Sequence, residues 1–143
     1  MDLEQLTKMY DLTGKTYVIT GGTGVLGGEI ACALAGVGAN VVILDRNLDP
    51  AKGLLERMGP HACNALAVYG DVLNRESLVE AVATIGERFG CVDGLINAAG
   101  GNKPAATAGP GTSFFDLPEE ALRFVFDLNL MGTILPCQVF GRQ

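Results

Sequence analysis

Continuous apolar runs and helical stripes alternate along this chain. Thr16 to Thr20 (TYVIT) is a β-branched and aromatic run that stops at a cluster of glycines, and it predicts a first strand. Residues 24 to 36 then predict a helix whose only charge is Glu29. Asn40 to Leu44 (NVVIL) is a second strand that ends at Asp45. Asp49-Pro50 has the form of a helix start, a capping carboxylate followed by proline at the first helical position. That helix runs to about Met58 and stops at Gly59-Pro60, and Leu66 to Tyr69 is a third strand. Asn74 caps a helix with apolar Leu78, Val79, Val82, Ile85 and Phe89, the stripe of a helix lying on a sheet. Val92 to Ile96 is a fourth strand, and a last helix begins near Pro118.

Strands that are apolar on both faces, alternating with helices, predict an α/β protein: a doubly wound parallel sheet covered on both sides. The 143 residues are expected to form one domain, 1–143, with residues 1–13 as a lead-in arm. A 3-2-1-4 strand order would leave the fourth strand as an open edge. The last helix, with Leu122, Val125, Phe126, Leu130 and Ile134, would lack neighbours. Both features predict a homo-oligomer. Residues 100–117 (GGNKPAATAGPGTSFFDL) have no periodicity and leave the C-terminal end of a parallel strand, where such sheets place ligands.

Composition narrows the function classes. Hydrophobic residues are 48% and charged residues 18%, and mean hydropathy is +0.30, so disorder is excluded. Glycine is abundant, 20 residues, but without the three-residue period of collagen. A net charge of −6 and a pI near 4.6 argue against nucleic acid or an anionic membrane surface as partner. The start, Met1-Asp2-Leu3-Glu4, has no signal-peptide pattern, and no apolar run is long enough to span a membrane, so a cytoplasmic protein is expected. Cys32, Cys63, Cys91 and Cys137 form no CxxC pair, and His61 is the single histidine. No metal site is predicted, and the cysteines are expected to be small buried hydrophobes.

The candidate chemistry lies at strand ends. Gly22, Gly24 and Gly27 fit G-x-G-x-x-G between a predicted strand and a predicted helix. Backbone N–H groups of Gly21 to Gly27 (Gly21, Gly22, Thr23, Gly24, Val25, Leu26, Gly27) can then approach a pyrophosphate at a helix N-terminus. Gly27 and Gly28 let the helix press on the sheet. A G-x-x-x-x-G-K-[ST] phosphate loop is excluded, because Gly28 and Glu29 follow Gly27. Asp45, 18 residues after Gly27, can accept both hydroxyls of an adenosine ribose and repel a 2′-phosphate, which favours NAD over NADP. Arg46 beside it could hold that phosphate instead. Asp71-Val72 closes the third strand, either at an adenine edge or as an ordinary turn.

In that order, Thr20-Gly21, Asp45, Asp71-Val72 and Asn97-Ala98-Ala99-Gly100 resemble the short-chain dehydrogenase/reductase family, with similarity from about residue 10 to the end. Asn129 in DLNLMGTILP resembles the family's helix bearing a catalytic-site asparagine. GGNKPAATAGPG followed by FFDLPEEALRFVFDLNLMGT resembles the mannonate oxidoreductase (fructuronate reductase) group. The resemblance implies a Rossmann-type fold and hydride transfer between NAD and the hydroxyl or carbonyl of a small polyol or sugar acid. It further implies that Asn97 fixes the fourth strand beside the nicotinamide ribose and that Asn129 holds a water.

Three departures qualify it. Val25 stands where the commonest members have a glycine, which gives the T-G-x-x-G-x-x-G spacing of the extended, epimerase-like branch. Ala98 replaces the second asparagine of N-N-A-G. The family's Tyr-x-x-x-Lys pair does not occur: four places after Tyr10, Tyr17 and Tyr69 stand Gly14, Gly21 and Leu73. The expectation is the cofactor-binding N-terminal part of a dehydrogenase, with the sheet truncated after its fourth strand and the helix that follows, and inactive by itself. A nucleotide-binding module without chemistry and an epimerase or dehydratase of nucleotide-sugars are the alternatives.

Overall fold

In the computed structural model, which describes residues 2–142, the chain opens with a short helix, α1 (Leu3–Met9), where the pattern predicts only an arm. A capping box forms it: Asp2 Oδ1 accepts the Gln5 N–H at 2.8 Å, and Gln5 Oε1 accepts the Asp2 N–H at 3.1 Å. The predicted alternation then follows. It runs β1 (Thr16–Thr20), α2 (Val25–Gly36), β2 (Asn40–Asp45), α3 (Ala51–Met58), β3 (Ala65–Tyr69), α4 (Arg75–Phe89) and β4 (Gly94–Asn97). A 3-10 stretch, Gly59–Asn64, carries His61 into the N-terminal end of β3.

All strand pairs are parallel and the order is β3-β2-β1-β4. The doubly wound sheet is therefore present, and the reversal of winding lies between β1 and β4. Alternate residues of each strand supply the two cores. Val18, Val42, Leu44 and Val68 pack under α4 through Leu78, Ala81 and Ile85. Ile19, Val41 and Ile43 pack on the other face, under Ala31 and Ala35 of α2 and Leu54 and Met58 of α3.

The last helix is not uniform. α5 (Glu119–Phe126) passes into a π turn, Asp127–Met131, and then α6 (Gly132–Phe140). Pro136 lies inside α6 and has no N–H for the Gly132 carbonyl, so one helical bond is missing there. Val139 and Phe140 of α6 join the α4 face of the core.

Local expectations fail at four points. Asp49 does not cap α3; its own N–H is taken by Asn47 Oδ1 at 3.0 Å, and Pro50 is the capping position. The fourth strand lies at Gly94–Asn97 rather than Val92 to Ile96, because Asp93 is held outside it by β1. Val79 faces solvent, 53% exposed, and Ala81 takes its place on the buried stripe of α4. The cysteines are free, but Cys63, Cys91 and Cys137 are exposed: they sit in the 3-10 stretch, in the turn before β4 and on α6 beside β4, the edge strand. Among the described residues, no cluster of three or more His, Cys, Asp or Glu side chains could hold a metal, and no helix is long and apolar enough to cross a membrane.

Substitution should separate the two sides of α4. Leu78→Ala is expected to cost about 2–5 kcal/mol in urea denaturation, and Val79→Ala less than about 0.5 kcal/mol. Equal costs would mean that the helix is rotated from this placement.

Asp93 adds a pH dependence. Its Oδ1 accepts Lys15 Nζ at 2.8 Å and its Oδ2 accepts the Thr16 N–H at 2.9 Å, and these bonds, the lysine first, hold its carboxyl below the ordinary aspartate value. A lowered folded value adds stability above the unfolded pKa and loses it as pH falls through the folded one. Asp93→Asn should therefore flatten the acid limb of the stability curve. A limb as steep as the parent's would contradict this.

Candidate functional site

The site begins with the turn after β1. Gly21 has φ +62°, and a Cβ there would stand 2.7 Å from Ala99 Cα, so the position suits glycine alone. A Cβ on Gly27 would stand 2.3 Å from the Gly21 carbonyl oxygen. The first turn of α2 therefore lies directly against the end of β1. Gly28 faces Leu54 of α3 rather than the sheet. The first helical bond of α2 is Gly28 N–H to Gly24 O at 2.8 Å, and no side chain caps the helix. The N–H groups of Val25, Leu26 and Gly27 thus have no partner within the helix. Their side chains do not shield them: Val25 and Leu26 are 85% and 76% exposed.

Two carboxylates stand at the ends of β2 and β3. Asp45 Oδ2 accepts the Thr23 hydroxyl at 2.6 Å and the Thr23 N–H at 3.2 Å, and Asp45 Oδ1 accepts the Asn47 N–H at 3.1 Å. Three of the roughly four acceptor directions of a carboxylate are thereby used. Only one remains, where the sequence reading has Asp45 accepting two hydroxyls. Asp71 Oδ1 accepts the Leu73 N–H at 2.9 Å and forms a turn, while Asn74 caps α4 by accepting the Ser77 N–H at 3.1 Å.

The end of β4 is joined to β1 and to the π turn. Thr20 Oγ1, fully buried, accepts the Ala99 N–H at 3.1 Å. Asn129 clamps the next residues: its Nδ2 donates to Gly101 O and Val125 O, both at 2.8 Å, and its Oδ1 accepts the Gly101 N–H at 3.1 Å. Both amide protons are committed to backbone, so the side chain holds the strand-end wall in place of a water. Asn97 turns the other way. Its Nδ2 donates to Cys137 Sγ at 3.3 Å, and its buried Oδ1 has no partner among the described residues. Strand alternation explains this: Ile96 and Ala98 face the α2 side, and Leu95 and Asn97 the α6 side.

A cleft of about 240 Å³ runs across these strand ends. Of the expected residues, Gly21, Thr23, Gly24, Asp45, Arg46, Asp71, Val72, Ala98, Ala99 and Gly100 line it. Gly22 is buried behind it, and Val25, Leu26, Gly27, Asn97 and Asn129 lie outside its lining. Gly70, Leu73, Phe124 and Leu128 also line it and were not expected. Phe124 and Leu128 are four apart on one helical face, a spacing visible in the sequence without any sign of which way it points. The residues fit a dinucleotide. Glycines and alanines leave room for close backbone approach, the start of α2 beside the cleft has N–H groups without helix partners, which suit phosphate charge, and Asp45 keeps one acceptor direction for a hydroxyl. The volume is below the roughly 300–1,000 Å³ of a complete ligand pocket, which suits the adenosine portion.

The short chain dehydrogenase family profile matches residues 15–143. The chain is 43% identical over 141 residues to an uncharacterized oxidoreductase, UxuB, of Bacillus subtilis, covering 93% of this chain and 51% of that protein. It is 32% identical over 131 residues to a sorbitol dehydrogenase of Cereibacter sphaeroides, covering 92% and 47%. Among solved structures, a Haemophilus influenza protein assigned as a D-mannonate oxidoreductase, with bound NAD, superposes with a TM-score of 0.86. It is 35% identical, with 96% of this chain and 52% of that one covered. The chain spans about half the length of the curated relatives it matches.

The Asn129 clamp can be tested by itself. Asn129→Ala should speed hydrogen exchange at the Gly101 amide while β1 amides keep their protection, at a cost of about 1–2 kcal/mol for partly exposed hydrogen bonds. Unchanged exchange at Gly101 would remove the clamp from the account.

Proposed function

The chain belongs to the short-chain dehydrogenase family, and from that premise we propose that residues 1–143 form one NAD-binding domain of an oxidoreductase. The observation that carries this reading is the cleft itself. The start of α2, whose first N–H groups have no helix partner, and the carboxylate of Asp45, tied by Thr23 to the turn before α2, stand beside one cleft that Gly21, Gly24, Gly70 and Gly100 line. A dinucleotide needs both, one for the pyrophosphate and one for the ribose.

In this reading Gly21 to Gly27 carry the pyrophosphate and Asp45 one ribose hydroxyl. Asp71 and Val72, with Leu73, Phe124 and Leu128, border the adenine. Ala98, Ala99 and Gly100 form the wall that Asn129 holds in register. NAD, when bound, accepts a hydride from an alcohol carbon as the hydroxyl proton leaves to a base. This chain offers no Tyr-x-x-x-Lys pair for that proton, so we expect no turnover from the 143 residues by themselves. The substrate class that fits best is a small polyol or sugar acid, supported by the likeness to the D-mannonate oxidoreductase structure and to the sorbitol dehydrogenase. Self-association is part of the proposal: β4 is an open edge, and Phe126 and Leu130 are exposed.

Titration with NADH and NADPH tests the cofactor assignment. A carboxylate facing a 2′-phosphate in a partly solvated site should cost on the order of 1–3 kcal/mol, or about 5- to 150-fold in Kd. NADH should therefore bind more tightly, and Asp45→Ala should erode the difference. Equal affinities in the parent chain would mean that Arg46 dominates this end of the cleft.

A further inference from the structure

The end of β2 presents two neighbours of opposite preference. Asp45 suits a ribose diol and Arg46 suits a phosphate, and both line the cleft. Among the described residues Arg46 makes no ion pair, so its guanidinium is available. An aspartate at a strand end that was free to rotate would swing aside and leave the phosphate to the arginine. Asp45 is not free. Thr23 places two donors, hydroxyl at 2.6 Å and N–H at 3.2 Å, on the single oxygen Oδ2, while the Asn47 N–H holds Oδ1.

The Thr23 hydroxyl is not required to hold the glycine turn against β2. The Gly22 N–H already donates to Leu44 O at 3.3 Å, and the Thr23 N–H adds a second tie. What the hydroxyl adds is a short bond that fixes where the negative charge sits. Resting on the reading of the cleft as a dinucleotide site, we propose that Thr23 is a positioning residue for cofactor choice. Its hydroxyl locks the Asp45 carboxylate in the cleft, so that a 2′-phosphate drawn to Arg46 must meet a charge that cannot move away. Selectivity then comes from the pair Thr23–Asp45, not from Asp45 alone, and it works by exclusion of the wrong cofactor.

The test compares the full chain with Thr23→Val, Thr23→Ser, Asp45→Ala and the Thr23→Val/Asp45→Ala double variant, with dissociation constants for NADH and NADPH from nucleotide fluorescence. Valine keeps the shape of threonine and the backbone N–H but removes the hydroxyl. Thr23→Val should narrow the NADPH/NADH ratio by about fivefold or more, chiefly by tightening NADPH, and Thr23→Ser should keep the ratio within about twofold. In the Asp45→Ala background Thr23→Val should change nothing further, since Thr23 acts through that carboxylate. Protection of the Gly22 amide should stay at the parent level in Thr23→Val, which separates lost charge placement from a loosened turn. A ratio unmoved by Thr23→Val, or an effect that persists without Asp45, overturns the proposal while leaving the dinucleotide reading intact. A parent chain that binds neither nucleotide overturns that reading and this inference with it.

Discussion

The first turn of α2 lies against the end of β1 so closely that a Cβ on Gly27 would come within 2.3 Å of the Gly21 carbonyl oxygen. The site depends on this contact. It brings the start of α2 to the end of β1, where the N–H groups of Val25, Leu26 and Gly27 have no helix partners. Gly21, with φ +62°, makes the same demand on the other side, where a Cβ would stand 2.7 Å from Ala99 Cα at the β4 end. A parallel sheet opens a crevice where its winding reverses, here between β1 and β4, and these two close approaches leave no room beside it for side chains at positions 21 and 27.

Around this bare backbone the polar groups fix positions rather than react. Thr20 ties Ala99 to β1, Asn129 ties Gly101 to the π turn, and Thr23 ties Asp45 to the glycine turn. Each bond joins segments far apart in the chain, so the cleft keeps its shape through tertiary contacts, not through any one loop. The π turn fits the same logic. A widened turn ahead of Pro136 sets Asn129 where its amide reaches both Gly101 and Val125.

The sheet was legible because its strands are apolar on both faces and its helices end in glycine or proline. The order of the four strands came with the resemblance to a Rossmann-type fold, since parallel winding by itself also permits 2-1-3-4. Positions that depend on one-residue phase were harder to read. Val79 and Ala81 are both apolar enough for the stripe of α4, and only packing under Val18 and Leu44 selects the smaller one. Asn97 was expected beside the cofactor path, but the period of two along β4 turns it toward Cys137. Cysteine burial follows position in the fold, which spacing does not reveal: Cys63 and Cys91 lie in turns and Cys137 at the open edge of the sheet beside Asn97. In the cleft, the glycines and Asp45 were visible as a spaced motif. The Thr23 hydroxyl on Asp45 was not, since its 22-residue separation carries no sequence period. Phe124 and Leu128 were hidden for the same reason, as a helix stripe reveals a face but not what it meets.

The central claim is that the backbone of the β1–α2 turn and the ends of β2 and β4 bind one dinucleotide together. Amide chemical-shift mapping during an NADH titration tests it most directly. Shifts concentrated at Gly21–Gly27, Asp45, Asp71 and Ala98–Gly100, saturating with a single dissociation constant, are the predicted result. Saturable shifts centred elsewhere, or none in the glycine turn at millimolar nucleotide, would contradict it.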